Sequence, residues 1–175
     1  MKRRTLLMLA AGLLAAVCLA AQPATRGFRG IELGMSLETV KERLTADPLF
    51  GYRGDPDVSL LPSAQQTLVE CAGSSWVSRS FFQFQDGALL SIILVLDSRR
   101  LDHYTLFQAL SSKYGGATRL DPSEAVWEFP GVRLSLERPL SVKYLDTVVF
   151  ERLRQQGQAG ETMSEMSKKA FLEQF

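Results

Sequence analysis

Two strand-like runs joined by Asp86-Gly87 restrict the fold of this chain more than any other feature. Val77–Gln85 and Ala88–Asp97 flank that dipeptide. Asp-Gly is the strongest short hairpin signal, because a type I′ turn requires positive φ at both central residues. Trp76, Phe82 and Phe84 mark one face of the first run. The second run, Leu89-Leu90-Ser91-Ile92-Ile93-Leu94-Val95-Leu96, is apolar on both faces. Such a strand belongs in the middle of a sheet with both sides covered. At about 1.5–3 kcal/mol per buried large apolar side chain, it dominates the core.

Two helices flank the hairpin. Ser36 is a good N-cap, with Glu38 in the first turn and Leu37, Val40 and Leu44 on one stripe. Met35 and Val40 occupy hydrophobic-staple positions, and Pro48 ends the helix. Asp102 caps a second helix running to Tyr114, whose expected buried stripe is Tyr104, Phe107, Leu110 and Tyr114. Gly115-Gly116 stops it. Strand signals resume over Ala125–Phe129, Val132–Leu136 and Val142–Phe150, with a Pro130-Gly131 turn between the first two. Residues 22–30 read as an irregular lead-in, and Phe50–Gly73 follows no clear pattern, with a short helix or strand around Ala64–Glu70 left open.

The order helix, hairpin, helix, meander predicts an α+β domain over 22–152. Its antiparallel sheet has about five strands, with two main helices packed on it. Both halves begin with a stapled helix and continue into antiparallel strands, a weak sign of two related units. Residues 153–175 form a polar tail in which Met163, Met166, Ala170 and Phe171 would share one helical stripe.

The first 21 residues carry a positive Lys2-Arg3-Arg4 start, an apolar run from Leu6 to Leu19 and small residues at Ala20 and Ala21. This is the layout of a cleaved secretory signal, and the run is shorter than the about 20 residues a membrane span needs. The expected compartment is periplasmic, with no membrane span after cleavage. Secretion, or a lipid anchor through Cys18, is the alternative, although bulky Val17 stands where acylation wants a small residue. Removing the three basic residues of the leader leaves 17 basic against 19 acidic groups, a formal charge of −2. With no basic patch, nucleic acid is not an expected partner.

Catalytic constellations are not evident. His103 is the only histidine and is expected to face solvent in the first turn of its helix. Neither a Ser nucleophile elbow nor a second metal-type ligand accompanies it. Cys71, alone after cleavage, reads as a buried inert thiol in preference to an intermolecular bridge. Glu124, Glu128 and Glu137 lie on the meander, where cross-strand pairing with Arg133 or Arg138 is the ordinary arrangement. No cofactor and no metal are expected. Tyr52, Trp76, Phe81, Trp127 and Tyr144 are the candidate partner-binding residues, since alternating strands cannot bury every aromatic.

Gly30-Ile31-Glu32-Leu33-Gly34-Met35-Ser36-Leu37-Glu38-Thr39-Val40 resembles the G-x-x-x-G-M-S/T-x-x-x-V helix opening of small exported α+β domains. These include the outer-membrane assembly lipoprotein (SmpA/OmlA) and β-lactamase-inhibitor-like domains. Lys113-Tyr114-Gly115, with Trp127 on a following strand, is similar to bacterial exported proteins of unassigned function. The resemblance implies helices on an antiparallel sheet and binding of other proteins without catalysis. The expected function is a non-catalytic periplasmic binding or envelope-assembly module whose partner is another envelope protein. The alternatives are an inhibitor of an extracytoplasmic enzyme, using the 50–73 loop, and a small carboxylate-dependent hydrolase.

Overall fold

The computed structural model describes residues 26–60 and 65–157. The leader, Cys18 and the Met163–Phe171 stripe lie outside the described residues. Strands β1 (Gly27–Phe28) and β2 (Ile31–Glu32) form a small ribbon where an irregular lead-in was expected. The turn between them places Arg29 and Gly30 at φ 50 and 79. Helix α1 (Leu37–Ala46) follows, then a 3₁₀ turn (Asp55–Asp57) and strands β3 (Val58–Leu60), β4 (Gln66–Cys71), β5 (Val77–Gln85) and β6 (Ala88–Leu96). Helix α2 (His103–Tyr114) precedes β7 (Arg119–Leu120), β8 (Glu124–Phe129), β9 (Val132–Glu137) and β10 (Ser141–Asp146). Residues 147–157 are helical.

The five-strand expectation is corrected. One antiparallel sheet of eight strands runs β3-β4-β5-β6-β10-β9-β8-β7, accompanied by the separate β1–β2 ribbon. Three strands are added: β3 and β7, of three and two residues, are too short to show alternation, and the six-residue β4 lies in the unpatterned 50–73 segment, its Leu68 and Val69 on opposite faces. The protein is therefore richer in sheet than expected, and each half is one helix followed by four strands. The two halves join where β6 lies antiparallel to β10.

Local chemistry explains the punctuation. Asp86 and Gly87 have φ 53 and 77, as a type I′ turn requires. The Thr39 amide donates to Ser36 Oγ at 3.3 Å, and the Thr105 amide to Asp102 Oδ1 at 2.9 Å. Both acceptors satisfy N–H groups that a helix start leaves unpaired. The expected strand through Phe150 instead stops at Asp146. The Asp146 carboxylate accepts the Val148 and Val149 amides at 3.0 Å and starts the helix over 147–157. That helix crosses the expected domain–tail boundary at 152/153.

Register decides where the core sits. Val69, Phe82, Ile92, Tyr144, Leu134 and Trp127 are successive cross-strand partners from β4 to β8, and all six are buried. Cys71, Ser80, Leu94, Val142, Leu136 and Ala125 form a second buried rung beside them. Directly opposed residues share a face, so both rungs point to one side. Val40 and Leu44 of α1, Phe50 and Leu110 of α2 join the same cluster. Phe50 packs edge-on to Phe82 with centroids 5.5 Å apart, and Phe107 lies 5.9 Å from Trp127. Trp127 Nε1 donates to the Gly115 carbonyl at 2.9 Å, tying the end of α2 to the sheet. Tyr104 leaves its expected stripe and is exposed, because α2 turns Leu106, Phe107 and Leu110 to the cluster instead.

Phe82→Ala is expected to cost about 3–5 kcal/mol, the scale of a truncated core aromatic. Asp102→Ala should cost about 1 kcal/mol through loss of the cap. Urea denaturation of the two variants reads both values, and an equal effect would contradict this division between core and cap.

Candidate functional site

The five candidate aromatics do not form one surface. Trp127 and Tyr144 are 1% and 3% exposed on the inner rung, which corrects their assignment as partner-binding residues. Burial and the neighbouring Tyr114 hydroxyl push the Tyr144 phenol up, so it stays protonated in the core. Tyr52 is half-buried against the core, and desolvation raises its phenol as well. Phe81 lies on the opposite face of the sheet, half-buried beneath the Arg79 guanidinium at 5.1 Å. Trp76 is half exposed, with the Arg100 guanidinium 6.0 Å from its ring centre.

Polar contacts hold the two ends of the 50–73 segment among the described residues. Gly73 and Ser74 donate their amides to the Phe50 and Leu49 carbonyls at 3.0 and 2.8 Å. The fully buried Asp57 carboxylate accepts the Arg53 amide and Nε, both at 2.9 Å, and Nη2 at 2.5 Å. A polar cleft of about 410 Å³ opens here, lined by Arg53, Asp57, Glu70 and Arg79 among others. Arg79 is ion-paired with Glu70. Each guanidinium in the cleft already has a carboxylate, so the cleft presents no unmatched charge.

The outer face of the sheet carries a different surface. Glu70, Phe81, Ile93, Lys143, Ser135 and Val126 are successive partners across six strands. Leu68, Gln83, Ser91, Leu145 and Arg133 form the neighbouring rung. Phe81, Ile93 and Leu145 put apolar side chains among the polar Gln83, Ser91 and Lys143 of these rungs. A bulge between Gln83 and Phe84 adds Leu90 to the same region. The helix over 147–157 stands beside this surface and encloses a groove of about 390 Å³. Leu90, Ile93 and Leu145 form its floor, and Phe150 and Leu153 its wall. That volume falls within the about 300–1,000 Å³ of small-molecule clefts.

Lys143 also lines the groove, half-buried. Among the described residues no carboxylate forms an ion pair with it, whereas Arg154 at the rim is held by Glu151 at 2.6 Å. A cation partly removed from water on an apolar floor favours an anion. None of these groove residues was singled out from sequence. The signal was there in part: Leu90 and Ile93 belong to the run apolar on both faces. The helix that builds the wall was hidden because Thr147–Phe150 reads as strand.

The remaining reactive types are accounted for by packing. Cys71 is buried beside Ser80, and burial together with Asp57 pushes its thiol up to about 12. His103 is half-buried instead of facing solvent, and its Nε2 is enclosed without a hydrogen-bond partner. Desolvation and Arg138 lower its pKa, with Asp102 opposing them. Glu124 faces Glu137 across the strands and is bound by Arg119 and by Arg133, the latter at 2.8 Å. Glu128 opposes Arg133. None of these three carboxylates lines either cleft. Among the described residues no group of three or more His, Cys, Asp or Glu converges. No described helix is long and apolar enough to cross a membrane.

Two expectations follow. The Cys71 thiol should ignore Ellman's reagent at pH 8 until urea unfolds the chain; rapid labelling of the folded protein would contradict its burial. His103 takes up its proton more readily unfolded than folded, so its contribution to stability is complete above about pH 6.5 and declines below it. The melting temperature should therefore fall between pH 7 and pH 5, and His103→Leu should flatten that slope.

No curated protein and no solved structure matches this chain. The sequence model of the TP0088 domain matches residues 26–156, from the β1–β2 ribbon to the helix beyond β10. That match spans more than half of the chain and includes every strand of the sheet, and the protein belongs to the TP0088 domain family.

Proposed function

We propose that this protein is an exported, non-catalytic binding module of the cell envelope, and that its working surface is the outer face of the sheet. One observation carries the reading: the groove between that face and the helix over 147–157 joins an apolar floor to Lys143, a cation with no ion-pair partner among the described residues. Binding sites combine apolar contact area with a few placed polar groups in this way. The leader pattern of residues 1–21 supports export. The groove contains no nucleophile–base pair and no pair of carboxylates, so what it offers a ligand is contact and charge.

The assembly role suggested by the sequence resemblance belongs to the same reading, with an envelope protein as the partner. Leu145→Glu places a charge in the groove floor without touching the inner rungs. Tagged protein with this change should retain fewer envelope components than the unaltered chain in a parallel capture. An unchanged set of retained proteins would remove the outer face from the reading. Mass spectrometry of the exported protein should find its first residue at Ala21 or Gln22, and an acylated Cys18 would replace release with anchoring.

A further inference from the structure

The chemistry of the groove narrows its occupant, and this step rests on the outer face being the binding surface. Its floor comes from β6 and β10, the two central strands. β6 is paired on both sides, with β5 and β10, and β10 is paired with β6 and β9. Their backbone N–H and C=O groups are consumed by the ladders, so the floor has no free strand edge for an extended peptide. Side-chain hydrogen-bonding capacity is also small. Gln66 and Gln83 stand in the lining, and Gln83 already accepts from Ser91 Oγ at 3.4 Å. A peptide laid along the groove would leave its own backbone groups without partners, which is costly away from water.

What the groove does offer is apolar surface from Leu90, Ile93, Leu145, Phe150 and Leu153, together with the unmatched ammonium of Lys143. That combination suits a ligand with one flexible hydrocarbon chain and a single negative head. Arg154, neutralised by Glu151, adds no second free charge, which argues against a multiply charged headgroup. We infer that the groove binds a free fatty acid, its acyl chain along the Ile93–Leu145 floor and its carboxylate on Lys143.

Titration calorimetry of the exported chain with dodecanoate, below its micelle concentration, tests the inference. Saturable one-to-one binding is expected. Lys143→Gln should weaken it about tenfold or more, the scale of one charge-assisted contact. Binding of uncharged 1-dodecanol should be weaker and insensitive to that change. Leu145→Glu should abolish both. Protection of Cys71 from Ellman's reagent shows that each variant remains folded. Dodecanoate binding that Lys143→Gln leaves unaltered would overturn the assignment of the head. Absence of dodecanoate binding overturns the acyl ligand; if Leu145→Glu still loses envelope components, the outer face nevertheless remains a binding surface. Should Leu145→Glu instead turn a dimer into a monomer on gel filtration with no dodecanoate bound, a second copy of this chain is the occupant and the inference fails.

Discussion

Two buried rungs of side chains hold this protein together, each crossing six strands from β4 to β8. They couple the halves through a single contact line, the pairing of β6 with β10. Ile92 opposite Tyr144 and Leu94 opposite Val142 are the links across it. Because side chains alternate along a strand, a one-residue slip there would send both rungs to the wrong face. The hydrophobic cost of such a slip is what gives the central pairing a unique register. Everything else in the fold answers to that register, including which face α1 and α2 cover and which lies beside the helix over 147–157.

The helices act as lids on the inner rungs, and polar contacts aim them. The Ser36 and Asp102 caps start the two helices at defined residues. Trp127 Nε1 then fixes the end of α2 over β8, while the Gly34 amide, donating to the Leu89 carbonyl at 2.8 Å, fixes the approach to α1. Asp146 performs both jobs at the other side of the sheet. Its carboxylate starts the helix over 147–157 and pairs with Arg26 at 3.2 Å, beside the ribbon. One acidic residue thus joins the end of the sheet to the start of the described chain and turns the following helix toward the outer face.

That turn gives the sheet two unlike surfaces. Inside, aromatic and aliphatic side chains are packed without charge. Outside, the apolar Phe81, Ile93 and Leu145 are interspersed with the polar Gln83, Ser91 and Lys143, and a helix stands beside them. The arrangement accounts for most of the aromatic residues as well: Trp127 and Tyr144 are structural, Phe81 is half-buried beneath Arg79, and Trp76 remains half exposed beside Arg100. Aromatic character alone therefore did not separate the buried Trp127 and Tyr144 from the exposed Trp76. The groove owes its character to aliphatic side chains, Phe150 and one lysine.

Local chemistry was legible in the sequence wherever a few adjacent residues decide the outcome. The Asp86-Gly87 turn, the Ser36 and Asp102 caps and the central place of Leu89–Leu96 in the sheet are of this kind, since positive φ, an unpaired amide or an apolar run acts within one turn or strand. Strands of two or three residues carry no usable alternation, so β3, β7 and the β1–β2 ribbon emerged only from their partners. The groove needed the tertiary structure for the same reason. Ile93 and Lys143 are fifty residues apart and meet because β6 pairs with β10. Pairing over that distance is chosen by the total burial of both rungs, a quantity that belongs to the folded chain and to no segment of it.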